Sequence, residues 1–196
     1  DILVGTQLGA KSFHFPDVTL VGVVDADTMI NMPDFRASER TMQLLAQVAG
    51  RSGRAAKLGE VLLQTLHPGH IAIAGAVAGD YGSFADEELK LRRELAYPPY
   101  SVLVRLLWTG KPEETVSAVA HESADALREQ IASAGHEIIG PAPAAIPLAG
   151  GKFRYHALMK VVSAVTQLAS VLERARAGRL PSAVKLKINV DPYDLF

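Results

Sequence analysis

Short apolar runs alternate with stretches of helical period along the first half of the chain. Residues 2–4 (Ile2, Leu3, Val4) and 18–24 are apolar and rich in β-branched side chains, which predicts buried strands. Residues 34–49 repeat apolar positions at helical spacing, with Phe35, Met42, Leu45 and Val48/Ala49 on one side. Asp34 after Pro33 is the expected N-cap, and Gly50 and Gly53 end the pattern. Residues 60–65 predict another strand, and 70–96 a single long helix. Alternating strands and helices predict a parallel α/β sheet.

The Tyr97-Pro98-Pro99-Tyr100 string stops the helix, because proline removes a donor and restricts the residue before it. A boundary is expected there, giving domains 1–97 and 98–196. The second half predicts strand 101–108, helix 113–134, strands 136–140 and 153–162, helix 163–177 and strand 184–190. This is the β-α-β-β-α-β order of a split, ferredoxin-like α+β domain. Gly140-Pro141-Ala142-Pro143 through Gly150-Gly151 is expected to be a long inner connection.

Composition narrows the function classes. The 196 residues carry a net charge of −1, so the chain is not a polycation that coats DNA by charge alone. Residues 1–98 hold 9 Lys/Arg against 12 Asp/Glu, and residues 99–196 hold 11 against 9. The second half therefore faces the more acidic partner, if either does. There is no cysteine, which excludes disulfides and thiolate zinc within this sequence. No signal peptide and no apolar run of about 18–20 residues is visible, so the expectation is a soluble, cytoplasmic protein. Asp1 runs straight into Ile2, Leu3 and Val4 with no initiator Met, so the expectation is a fragment of a longer protein.

The strongest chemical signal is Gln47-Val48-Ala49-Gly50-Arg51-Ser52-Gly53-Arg54, of the form Q-x-x-G-R-x-G-R at a helix end. Two arginines three residues apart reach one anion with planar forks of donors. Neighbouring glycines let the backbone turn and approach closely. Phosphoryl transfer spreads negative charge over γ-phosphate oxygens, and such a pair can meet it. Two isolated arginines would more often be solvated surface charges. The full eight-residue form, after an α/β pattern, favours the phosphate reading.

This string resembles motif VI of superfamily 2 helicases. Further strings resemble one branch of them, the primosomal replication-restart helicases. Gly5-Thr6-Gln7-Leu8-Gly9-Ala10-Lys11-Ser12-Phe13-His14-Phe15-Pro16-Asp17-Val18 is similar to that branch's motif V, with Ser12 standing where the family has glycine. Pro33-Asp34-Phe35-Arg36-Ala37-Ser38-Glu39-Arg40 resembles its run before motif VI. Leu95-Ala96-Tyr97-Pro98-Pro99-Tyr100 resembles its domain junction. Gly140-Pro141-Ala142-Pro143 with Phe153-Arg154-Tyr155, and Val190-Asp191-Pro192, resemble its C-terminal segments.

The resemblance implies part of a RecA-like second motor lobe followed by a C-terminal DNA- or partner-binding domain. It implies arginine fingers at Arg51 and Arg54, with Gln47 coupling nucleotide to lobe closure. Gly5, Lys11, Gly50 and Gly53 would line the nucleotide cleft. Thr6 and Gln7 would meet a DNA strand, as would Lys152, Arg154 and Tyr155. The implied cofactors are ATP and Mg²⁺ in the full-length protein, with zinc there but not in this sequence. The implied partners are forked and single-stranded DNA, primosome proteins and single-stranded DNA-binding protein, with the fragment itself monomeric. No Walker A loop is present; Gly150-Gly151-Lys152-Phe153 lacks its Ser/Thr and spacing. The fragment alone is therefore expected to be inactive as an ATPase. A non-catalytic DNA-fork or partner-binding module of a degenerate helicase stays open as the alternative, and Ser12 is the residue that favours it.

Other candidates read more plainly. His67 and His70 lack further ligands in sequence and suit a turn. Asp25 and Asp27 suit a structural or lobe-contact role. Arg174, Arg176 and Arg179 suit a helix C-terminus. Lys185 and Lys187 alternate with Leu186 and Ile188, as on the solvent side of a half-buried strand.

Overall fold

The computed structural model describes residues 2–5, 18–50, 59–131, 135–162, 165–178, 180–193 and 195. The chain forms two compact units, Asp1–Leu91 and Arg92–Phe196, so the Tyr97–Pro98 junction lies inside the second.

The first unit contains β1 (Leu20–Val23), α1 (Asp27–Ile30), α2 (Ala37–Ala49), β2 (Glu60–Leu63) and α3 (Ile71–Ala78). Helix α4 (Tyr81–Glu94) begins in it. Strands β1 and β2 pair in parallel, with Leu20 opposite Glu60 and Val23 opposite Leu63. Leu45 of α2 and Ile73 of α3 pack with Ala26 against Val23, Ile30 and Leu63. Met42, Ala72 and Phe84 form a second cluster. The helical spacing of Met42, Leu45 and Val48 thus faces the core, whereas Phe35 is only half-buried and Ala49 is exposed.

Four expectations need correction in this unit. The strands are not buried: Leu20 and Leu62 are each 55% exposed. Parallel strands are buried when helices cover both faces, and the two clusters here take up only one alternate set of side chains. Ile2, Leu3 and Val4 belong to no strand and are exposed. A β-branched run becomes a strand only where a neighbour takes its N–H and C=O groups. The helix over 70–96 is really two. Gly79 adopts a left-handed conformation (φ 67°) that caps α3. Asp80 then starts α4, accepting from Ser83 N at 3.0 Å and Ser83 Oγ at 2.6 Å.

Asp34 also differs from its expected role. Helix α2 begins at Ala37, and the capping position is Arg36 with no side-chain cap. Asp34 lies just before it and is buried. Its carboxylate accepts from Arg36 N at 3.0 Å and pairs with Arg36 Nη1 at 3.5 Å and Arg40 Nη1 at 3.2 Å. It staples the entry loop to the first turn of α2.

The second unit runs β3 (Val102–Gly110), α5 (Glu113–Ile131), β4 (Glu137–Ala149), β5 (Lys152–Val161), α6 (Val165–Ala177) and β6 (Val184–Val190). They form a four-stranded sheet in the order β4-β5-β3-β6, antiparallel throughout. Val104, Leu106 and Trp108 of β3, Ala157, Met159 and Val161 of β5, and Val184 of β6 pack with Val116, Ala120, Ala124, Leu127 and Ile131 of α5 and Val171 of α6. The segment from Gly140 to Ala149 is strand rather than connecting loop. It continues β4 with register shifts after Ile139 and after Pro143. Its prolines fit because β4 is an edge strand, where a missing N–H costs no ladder bond.

Candidate functional site

The first expected site centres on the end of α2. Gln47 is exposed near its C-terminus, and Gly50 caps it, donating its N–H to Ala46 O at 3.0 Å. The core residues Leu45 and Val48 fix the helix. Gln47 and Gly50 therefore stand on its solvent side, and the chain leaves the helix towards Arg51. Arg51, Gly53 and Arg54 lie outside the described residues, as do Thr6, Gln7 and Lys11. Gly5 is described and exposed.

The acidic and imidazole groups of this unit are taken up by local structure. Asp25 lies just before the capping position of α1, Ala26, and accepts from Thr28 N at 3.2 Å and Thr28 Oγ1 at 2.5 Å. Asp27 accepts from Thr65 Oγ1 and Leu66 N, each at 2.7 Å. The Thr65 hydroxyl first, and the Leu66 amide second, hold its pKa below the usual carboxylate value. His70 caps α3, with Ala72 N donating to Nδ1 at 3.2 Å. Burial pushes its pKa down, against the pull of Glu88. Among the described residues no group of three His, Cys, Asp or Glu side chains is placed to hold a metal ion.

The second expected site lies on β5, and the sheet register resolves its residues onto two faces. Directly opposed residues share a face and neighbours alternate. Tyr155 opposes Trp108, which opposes Leu186; this row packs on the helix side. Tyr155 also donates to Glu113 Oε1 at 3.3 Å and meets the His121 ring edge-on. Arg154 is on the other face, opposite Thr109, which is opposite Lys185. The next row on that face is His156, Leu107 and Lys187, and the next is Leu158, Arg105 and Asn189. Lys152 precedes Arg154 on the same alternation. The structure thus joins Lys152 and Arg154 to Lys185 and Lys187, and separates them from Tyr155.

Lys152, Lys185 and Lys187 are exposed and Arg154 is half-buried, while Leu103, Arg105 and Leu107 of the central strand are buried. Lys111, just past β3, adds a further cation. A methyl group on Gly151 would come within 3.4 Å of its Nζ, so this ammonium sits at the Gly150–Gly151 turn beside Lys152. Burial, then Arg105 and Arg154, push the His156 pKa down. Farther along the face, buried Lys160 donates to Leu95 O at 2.9 Å, pairs with Glu137 at 3.1 Å and lies 4.4 Å from the Tyr97 ring centroid. Nothing in the local sequence signals this gathering, because it depends on pairing between residues far apart in the chain.

Residues 93–193 match the family model described as the primosomal protein N C-terminal domain. The chain is 39% identical over 197 residues to the replication restart protein PriA of Bacillus subtilis (strain 168), covering 98% of this chain and 24% of that protein. It is 38% identical over 198 residues to the replication restart protein PriA of Treponema pallidum (strain Nichols), covering 100% of this chain and 30% of that one. For the protein of the same name from Synechocystis sp. the identity is 40% over 199 residues, covering 100% of this chain and 23% of that protein. The chain therefore spans less than a third of the length of these relatives.

Proposed function

The chain belongs to the family of the primosomal protein N C-terminal domain, and on that footing we propose that it works as the C-terminal part of an ATP-dependent 3′-to-5′ DNA helicase that restarts abandoned replication forks. Residues 1–97 would belong to the second, RecA-like motor lobe. The remainder would be a DNA- and partner-binding domain. The observation that carries the motor reading is the end of α2. Its buried face is pinned to the core, and its exposed Gln47 and Gly50 lead straight into Arg51.

In this reading Arg51 and Arg54 donate planar pairs of N–H groups to γ-phosphate oxygens as charge builds there. Gln47 couples that contact to closure of the two lobes. Gly50 and Gly53 leave room for the backbone to approach the nucleotide. Gly5 and Lys11 line the same cleft, and Thr6 and Gln7 reach the strand being translocated. The staple from Asp34 to Arg36 and Arg40 holds the far end of α2, so α2 acts as a rigid arm for its own tip.

Magnesium and zinc are assigned to parts of the longer protein outside this sequence. For zinc, the lack of cysteine supports that assignment. The partners proposed are forked and single-stranded DNA, primosome proteins and single-stranded DNA-binding protein. Lys152 and Arg154 carry the DNA contact, and Tyr155 holds β5 against α5 beneath them.

The test is Arg54→Ala in the full-length protein. DNA-stimulated ATP hydrolysis should fall by about 10³–10⁵, the contribution of arginine fingers in related systems. Turnover within a few-fold of wild type would refute the finger role.

A further inference from the structure

The register places Lys152, Arg154, Lys185 and Lys187 on one face of the second unit's sheet, with Lys111 at its end. We propose that this face binds the phosphate backbone of duplex DNA, without reading bases. The proposal rests on the DNA-binding role given above and deepens it: it names the surface, the form of DNA and two residues, Lys185 and Lys187, that the local sequence pattern assigns to solvent alone.

Charge is the first argument. The rows from Lys152 to Leu158, with their partners on β4, β3 and β6, contain no carboxylate. Five cations therefore stand together in a chain whose net charge is −1. Uncompensated surface charge of this density raises a local potential that attracts a polyanion.

Spacing is the second. Lys185 and Lys187 are two residues apart on β6, roughly 7 Å along the strand, and Arg154 lies two strands from Lys185, roughly 10 Å across the sheet. Long lysine and arginine side chains over that span reach several phosphates at once, and a duplex presents one charge per roughly 1.7 Å of axis. The floor is the third. It consists of Thr109, Leu107 and buried Arg105, with Tyr155 and Trp108 turned to the helix side. Among the described residues of these rows the half-buried His156 imidazole is the one ring on this face, and no phenyl, phenol or indole ring is offered as the stacking platform on which single-strand sites depend. Contacts of this kind position a duplex and leave its sequence unread.

The experiment is a salt titration of binding to a blunt 20-base-pair duplex, using the 196-residue chain and its K152Q/R154Q/K185Q/K187Q variant. The slope of log K against log salt should shrink by about 0.9 for each phosphate that is no longer neutralised. A fall of about 2–4 in slope is expected, with a smaller effect on a single strand of the same length. A K185R/K187R variant should keep the slope, and an unchanged Trp108 emission spectrum would show that the quadruple variant is folded. An unchanged slope overturns the proposal, as does wild-type preference for the single strand. Tighter binding of a poly-glutamate peptide than of the duplex would overturn it in favour of an acidic protein partner. None of these outcomes bears on the motor reading, which is decided separately by ATP hydrolysis in the Arg54→Ala protein.

Discussion

Lys160→Met is the sharpest probe of how the second unit is held. Lys160 is 6% exposed. Its ammonium has three partners: Leu95 O at 2.9 Å, Glu137 Oε2 at 3.1 Å and the Tyr97 ring at 4.4 Å. A hydrogen bond from a charged donor contributes about 1.5–3 kcal/mol. Leu95 is itself 56% exposed, so water stands close to the vacated bond, and the low end applies. The cation–π contact adds about 0.5–2 kcal/mol. The Glu137 side chain is 59% exposed, so that pair contributes at most about 1 kcal/mol. Removing it strands no buried charge, which is what makes other broken buried pairs cost about 3–5 kcal/mol. Methionine keeps most of the apolar packing of the lysine stem. The net destabilisation is about 2 kcal/mol.

Trp108 is the sole tryptophan of the chain and lies buried in this unit's core, so its fluorescence reports unfolding here rather than in the first unit. With a urea slope of about 1–3 kcal/mol/M, the midpoint should drop by roughly 1 M. No shift would refute the anchoring role of Lys160. A destabilisation above about 4 kcal/mol would show that Glu137 behaves as a buried partner, against its exposure.

Three other outcomes follow from the same structure. In Gly110→Ala the new methyl runs into the Ala183 carbonyl and comes within 3.1 Å of Val184 Cα. Both are backbone and cannot swing aside, so a destabilisation of about 1–3 kcal/mol in the Trp108 transition is expected; an unchanged midpoint would contradict the close approach of β3 and β6. The lowered His156 pKa means that the unfolded chain takes up this proton first as pH falls. Stability from this group is complete above the ordinary histidine value of about 6.5 and declines as pH drops below it; His156→Gln should flatten that part of the pH profile, and an equally steep profile would refute the linkage. Asp80→Ala removes the N-cap of α4, so amide exchange at Ser83 and Phe84 should quicken while exchange in β3 stays unchanged.

Much of the second unit is legible in its sequence because its elements have clear periods. The core positions of α5, Val116, Ala120, Ala124, Leu127 and Ile131, recur at helical spacing, and β3 is apolar through most of its length. What escaped has definite causes. Pro141, Pro143 and Pro147 read locally as loop, yet an edge strand tolerates them. The break at Gly79-Asp80 is carried by a glycine and a capping aspartate inside an otherwise helical stretch, so apolar spacing alone passes over it. The strings that resemble helicase motifs are recognisable residue by residue, whereas the cationic face is not: Arg154 and Lys185 are brought onto one row, either side of Thr109, only by the β5-β3-β6 pairing.

The half-open sheet of the first unit has a consequence for the chain on its own. Leu20 and Leu62 stand over half exposed on two strands that pair with each other. Ile2, Leu3 and Val4 add 72–94% exposed apolar side chains close by in sequence. Exposed strand edges with apolar faces are templates for pairing between molecules. Purified by itself at high concentration, this chain should self-associate through its first ninety or so residues. Lysine at positions 20 and 62 would be the substitutions that keep it dispersed.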